Sequence, residues 1–210
     1  LKCSAGKVHW KPHRPEAFET TSAERIFERG QIRFEHSEQG SSAGTKIESG
    51  KHSRKLPGTL EVLAQASECL VINTLPLQRY LEGVLAAEVG GAWPQAALEA
   101  QAVAAQSYTL SVQSESRSKH RLYALESSTQ DQVYSGMNKS SPSIRKAIEK
   151  TATWKLVEKS GTPSSHVARA YYHSTCGGST DVPTAIWKGR AGQAPARICS
   201  TCEASPQFRW

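Results

Sequence analysis

One carboxyl stands where the pattern around it asks for an apolar side chain. From Pro76 onward Leu77, Tyr80, Leu81, Val84 and Leu85 recur at three- and four-residue steps, the mark of a helix with one apolar face, and Glu88 falls on that same face. An inward-facing carboxyl is costly to ionise, so it is expected to keep its proton near neutral pH. That is what a general acid needs in order to donate to a leaving oxygen. A plainer reading stays open, because Gly90-Gly91 follow within two residues and a glutamate there can simply cap its helix or make a salt bridge.

Sulfur is the second source of chemistry. The five cysteines, Cys3, Cys69, Cys176, Cys199 and Cys202, are an odd number, so they cannot all pair within the chain. Cys199-Ser200-Thr201-Cys202 has the spacing of a zinc knuckle, and Cys176, or the unit His173-Ser174-Thr175-Cys176, can supply the remaining ligands of a structural zinc. A disulfide between two of these three, or a set of ordinary buried thiols, fits the spacing as well.

The elements that must position these groups are of two kinds. The first 55 or so residues are polar and turn-rich. Among them Gln31 to Glu35 alternates as a strand, and Ser37 to Lys55 reads as a long loop or hairpin excursion. Thr59 to Leu63 and Cys69 to Asn73 predict a β-hairpin. The helix carrying Glu88 follows, then a break at Trp93-Pro94, where Pro suits a first helical position. A second helix is predicted over Gln95 to Val112. Its face of Leu98, Ala102, Ala105 and Tyr108 is rich in small residues and should pack closely on the first helix; Gln101 shares that face. Ser143 to Thr153 predicts a short helix, Trp154 to Lys159 and Val167 to His173 predict strands, and Gly177-Gly178 a turn. From Pro183 to Trp210 periodicity is lost, which predicts loops pinned by the cysteines. The sum is an α+β fold, two packed helices among β-rich layers with an open groove past Glu88. It divides into an N-terminal β- and loop-rich extension, residues 1–55, and a catalytic domain, residues 56–210.

With 210 residues and 38% hydrophobic content the chain can bury a core. Its apolar runs are far shorter than the ~20 residues that cross a bilayer. It opens at Leu1-Lys2-Cys3, without an initiating Met or a charged-then-apolar leader, so an export signal or anchor is expected to lie outside it. The formal charge of +7 favours a polyanionic partner. Nucleic acid is not expected, because the basic residues are dispersed and no recognition helix or RNA-binding strand signature is present.

Leu75-Pro76-Leu77-Gln78-Arg79-Tyr80-Leu81-Glu82-Gly83-Val84-Leu85-Ala86-Ala87-Glu88-Val89 resembles the helix that holds the acidic residue of the stage II sporulation protein D (SpoIID) family. Trp93-Pro94 and Ala97 to Ala105, ending in Ser107-Tyr108, are similar to that family's second helix. Gln132-Val133-Tyr134, then Ala170-Tyr171-Tyr172-His173-Ser174-Thr175-Cys176-Gly177-Gly178, and then Ser205 to Trp210 resemble its later signatures in the same order.

The resemblance implies a lytic transglycosylase of bacterial peptidoglycan. Such an enzyme cleaves the bond between N-acetylmuramic acid and N-acetylglucosamine and leaves 1,6-anhydro ends, preferably on strands already stripped of peptide, so that a cell-wall amidase acting first is a partner. Its place would be extracytoplasmic: periplasm, wall or secreted. Glu88 would be the general acid and base, and no cofactor is required for catalysis. Gln101, Tyr108, Gln132, Tyr134, His173 and Ser174 would bind the sugar, because hydroxyl and acetamido groups want amide and hydroxyl partners. Trp187 and Trp210 are candidates for stacking on saccharide rings. Two positions depart from the family. Gln106 stands where an Arg is common, and Asp131 stands where some members have a cysteine of a zinc site ahead of Gln-x-Tyr; that site is not expected here. The competing readings are a silent wall-binding or amidase-enhancing module, and a zinc hydrolase built on His173 and the cysteines.

Overall fold

The computed structural model describes residues 2–4, 7–10, 25–27, 31–34, 45–49, 52–65, 68–136, 140–158, 166–186, 196–206 and 208. The chain forms two compact units, Leu1–Gly83 with Ser135–Lys139, and Val84–Tyr134 with Ser140–Trp210, the boundary falling inside a helix. Helices and small antiparallel sheets make it an α+β protein.

The first unit is built of β-ribbons. Strands β1 (Lys2–Ser4), β2 (Lys7–Trp10) and β3 (Arg25–Phe27) form one sheet, β5 (Thr45–Ser49) and β6 (His52–Leu56) a second, and β4 (Gln31–Phe34), β7 (Thr59–Gln65) and β8 (Glu68–Thr74) a third, in the order β4-β7-β8. The predicted hairpin is β7-β8, in register from Thr59↔Thr74 to Gln65↔Glu68. The excursion predicted over Ser37 to Lys55 contains the β5-β6 pair. Along β7 the side chains alternate as a half-buried strand requires, with Leu60 and Val62 inside. Asn73 closes the hairpin base by donating from Nδ2 to the carbonyls of Pro57 and Thr59. Cys69 on β8 is disulfide-bonded.

Helix α1 (Leu77–Glu88) begins in the first unit and ends in the second. Its spacing does what the sequence predicts as far as Ala86: Leu81, Val84 and Leu85 are fully buried. It stops at Gly90, whose φ of 70° suits glycine and whose N–H closes on the Leu85 carbonyl.

The second unit is organised around α2 (Gln95–Ser118), which runs beyond the predicted end at Val112. The extra turns carry a Glu115–Lys119 pair at helical spacing and a buried Ser116 whose hydroxyl donates to the Ala124 carbonyl. The closest helix against α2 is α3 (Pro142–Thr151), not α1 as expected from the small-residue face. Ser141 caps α3 by accepting from the Ile144 N–H, and Pro142 follows at the first helical position. Leu98, Ala102, Ala105 and Val112 of α2 and Ile144, Ala147 and Ile148 of α3 are core residues. The long strands predicted over Trp154 to Lys159 and Val167 to His173 reduce to a two-residue pair, β9 (Val157–Glu158) with β10 (His166–Val167). The rest of those stretches is tied to α2 by side chains instead: Ser107 Oγ accepts from the Leu156 N–H, and the Gln106 amide donates to the carbonyls of Ala152 and Trp154. The region after Pro183 holds a short helix, α4 (Pro183–Ile186), and a 3-10 turn, Thr201–Ala204. Among the described residues no helix is long and apolar enough to cross a membrane.

Candidate functional site

Glu88 lies at the last residue of α1 and is exposed, so the desolvated carboxyl expected from the helix pattern is not what the fold provides. The apolar face gives out one turn earlier, where the chain prepares to leave the helix at Gly90. An anionic side chain at a helix C-terminus also meets the negative end of the helix dipole, a cost of about 0.3–1 kcal/mol at an exposed position. The carboxylate is held from outside the helix: Oε1 accepts a 2.8 Å hydrogen bond from the backbone N–H of Val133. Among the described residues Oε2 takes no hydrogen bond.

The peptide that presents this N–H follows two residues tied to α2, Asp131 and Gln132. Before it, Tyr108 donates from its hydroxyl to Asp131 Oδ1 at 2.7 Å, and Asp131 Oδ2 accepts from the Glu126 N–H at 2.9 Å. At its centre, Gln132 is wholly buried. Its Nε2 donates to the Ala105 carbonyl at 3.2 Å and to the Tyr172 hydroxyl at 3.0 Å, and its Oε1 lies 2.8 Å from Thr109 Oγ1. Thr109 also lies 2.8 Å from the Ala105 carbonyl. A hydroxyl has one proton. The Thr109 proton is therefore shared between Oε1 and that carbonyl. After it, Tyr134 is buried.

Two tyrosines of the following extended segment complete the surroundings. Tyr172 is tied to Gln132, and burial, then the Glu88 charge, push its hydroxyl above the usual tyrosine range. It therefore stays a neutral hydroxyl. Tyr171 meets Tyr108 edge to face, with ring centroids 5.8 Å apart. Tyr108 and Tyr134 are likewise raised, Tyr108 by burial and by Asp131, Tyr134 by burial. Behind the segment Arg169, buried, pairs with Glu115 of α2. Hydrogen bonds from Lys119 and Arg169 hold the Glu115 carboxyl down to about 2.

The six residues expected to bind sugar thus separate. His173 and Ser174 are exposed and directly follow Tyr172. Tyr108, Gln132 and Tyr134 are buried, and the polar atoms of Tyr108 and Gln132 are engaged within the protein. Gln101 is half-buried, with an Nε2 that is out of solvent and finds no acceptor among the described residues. Trp187 and Trp210 lie outside the described residues. Gln106 is a structural amide that fastens the chain after α3. Three contributors had no signal in sequence spacing: Thr109, Asp131 as an acceptor for Tyr108, and the Val133 N–H, which as a backbone group leaves no trace in residue type.

The three predicted metal ligands do come together. The sulfurs of Cys176, Cys199 and Cys202 all lie within 4.8 Å of one another, and all three cysteines are free. His173 is not in that group. The N–H groups of Thr201 and Cys202 hold the Cys199 thiol down to about 7.

Residues 65–157, which contain Glu88, Thr109, Asp131 and Val133, match the family model of the stage II sporulation protein, SpoIID. The match ends before Tyr171-Tyr172-His173 and the cysteine cluster. Over 124 residues, 59% of this chain, the sequence is 32% identical to an uncharacterized protein of Brachyspira hyodysenteriae. The shared stretch is 32% of that protein, so the chain spans about a third of its relative's length. No solved structure matches the chain.

Proposed function

We propose that this chain is a peptidoglycan lytic transglycosylase that cuts the glycosidic bond between N-acetylmuramic acid and N-acetylglucosamine, with Glu88 as its general acid and base. The observation that carries the reading is the Val133 N–H bond to Glu88 Oε1, which fixes one oxygen of an exposed carboxyl and leaves the other for substrate, inside the segment that matches the SpoIID family. A hydrolase of the two-carboxylate type needs a second acid across the bond. A transglycosylase needs one, because the attacking oxygen is the muramic C6 hydroxyl, whose effective concentration within its own ring is very high.

In the proposed reaction Glu88 Oε2 gives its proton to the glycosidic oxygen as the C1–O bond breaks. The resulting carboxylate then takes the C6 hydroxyl proton as the C6 oxygen closes on C1. The proton count is restored and no water is consumed. Because Glu88 is exposed in the free protein, it is the bound glycan strand that shields it from water during the reaction. The neutral Tyr172 hydroxyl adds a fixed dipole next to the carboxyl, and His173 and Ser174 offer polar atoms along the open groove in which the strand lies.

The substrate proposed is peptide-free glycan, with an amidase acting beforehand. A formal charge of +7 suits an acidic wall polymer. An extracytoplasmic location is supported by the disulfide at Cys69, since such bonds persist in oxidising compartments. The test is release of soluble glycan from purified peptidoglycan, with and without amidase treatment. Release from the amidase-treated wall by the wild type and none by Glu88→Gln supports the enzyme. Binding to the wall with no release from either substrate points to the amidase-enhancing or wall-binding module.

A further inference from the structure

The cysteine cluster lies outside the segment that matches the family model, and the glycan chemistry makes no use of it. It is assembled from two stretches far apart in the chain. Ser179 bridges Ile198, the Thr180 N–H donates to the Arg197 carbonyl, and the Cys199 N–H donates to the Gly178 carbonyl at 2.9 Å. That short ladder sets Cys176 opposite the Cys199-Ser200-Thr201-Cys202 turn. On each side the backbone turns its N–H groups toward sulfur: Gly178 toward Cys176, and Thr201 and Cys202 toward Cys199. Gly177 and Gly178 make this possible on the first side, with φ of 64° and 102°. Further out, the hydroxyls of Thr175 and Ser205 meet at 3.1 Å.

The spacing of the sulfurs is informative. Cys199 Sγ and Cys202 Sγ are 3.7 Å apart, far beyond the ~2.05 Å of a disulfide. Thiolates bound to one tetrahedral zinc at about 2.3 Å lie roughly 3.8 Å from each other. All three sulfurs fall within 4.8 Å, so a single cation can reach each of them with small side-chain adjustments.

We propose that Cys176, Cys199 and Cys202 together bind one thiophilic dication of the zinc class, as a clip that joins residues 176–180 to residues 197–202. Sulfur ligands select zinc over the oxygen-loving magnesium and calcium. Three protein ligands leave the fourth tetrahedral position to an exogenous donor. The clip is therefore more easily stripped by chelators than a closed four-cysteine site. Because the first stretch continues directly from Tyr172, His173 and Ser174, the metal steadies the segment beside Glu88 without taking part in bond cleavage. The site stands on the sulfur geometry and is independent of the glycan reading.

The test uses the full chain, purified under reducing, chelator-free conditions and dialysed after exposure to zinc. Elemental analysis is expected to give one zinc per chain, with little retained by Cys199→Ser or by the separate variant Cys176→Ser. Replacement by cobalt should give a thiolate-to-cobalt absorption band in the wild type that is largely lost in either variant, in step with the lost metal. Thermal unfolding should move to higher temperature as free zinc is raised in the wild type, and not in the variants. Wild-type protein that retains no zinc, or that retains as much in Cys199→Ser as in the wild type, overturns the proposal. So does a thiol count showing Cys199 and Cys202 oxidised to each other in zinc-exposed, reduced protein. Glycan release that persists in zinc-free protein leaves the clip intact as a structural site; its loss in zinc-loaded wild type bears on the glycan reading alone.

Discussion

Thr109→Val removes a single hydrogen-bond donor from the scaffold behind Glu88 and little else. Val has nearly the same shape and a similar helix propensity, so neither a cavity nor a helix penalty follows. What is lost is the proton that Thr109 shares between Gln132 Oε1, 2.8 Å away, and the Ala105 carbonyl, in a place where Gln132 has no access to water. Taking one partner from a buried pair costs about 1–3 kcal/mol. For a chain of this size each kcal/mol lowers Tm by about 2–4 °C. The adjoining peptide carries the Val133 N–H, so a Gln132 that shifts also loosens Glu88, and misplacement near 1 Å can cost about 10²-fold in rate. Urea unfolding and Tm measure the first effect, and glycan release well below Tm measures the second. A cycle with Gln132→Leu should give a coupling of at least about 0.5 kcal/mol. Wild-type stability in Thr109→Val, or no coupling in the cycle, would refute the view that this amide anchors the loop.

Tyr172→Phe should slow cleavage by about tenfold or less, the worth of one hydrogen bond near 1 kcal/mol, and much less than Glu88→Gln does; equal losses would mean that Tyr172 takes part in proton transfer. Gln106→Leu strips the donor from the carbonyls of Ala152 and Trp154 and should lower stability by about 1–3 kcal/mol in urea unfolding. The acid limb of stability should carry the signature of Glu115. Its carboxyl is held at about 2 in the folded protein against an ordinary 4.5, so its contribution is complete above about pH 4.5 and is lost as the pH falls toward 2. Glu115→Gln should flatten the stability curve in that window and leave its slope above pH 5 unchanged; an unaltered acid limb would speak against the pairing of Glu115 with Lys119 and Arg169.

The sequence carried direction well and depth poorly. The steps Leu77, Leu81, Val84 and Leu85 foretell α1 and the azimuth of its buried face, yet periodicity says nothing about where along the axis the core ends, and Glu88 lies past that point. The small residues of α2 announce close packing but not the partner, which is α3. Apolar residues at Trp154, Leu156 and Val157 read as strand, whereas they are exposed in the fold; only Val157 enters the short β9-β10 ladder, and Ser107 and Gln106 bind the backbone of Leu156 and Trp154. The Cys199-Ser200-Thr201-Cys202 turn was visible as spacing. Its meeting with Cys176 depends on the Ser179–Ile198 bridge, a long-range pairing with no local signature. The Gln132 amide was legible as a site residue by type, but only the fold tells that it supports the loop from inside.

The most direct measurement is mass spectrometry of the products formed from amidase-treated peptidoglycan in water enriched in heavy oxygen, with wild type and Glu88→Gln compared at matched fold and Tm. The account predicts muramyl ends one water lighter than reducing ends, free of heavy oxygen, and absent with Glu88→Gln, a loss of about 10²–10⁴-fold for a removed general acid-base group. Reducing ends carrying heavy oxygen, or anhydro ends that persist with Glu88→Gln, would contradict it.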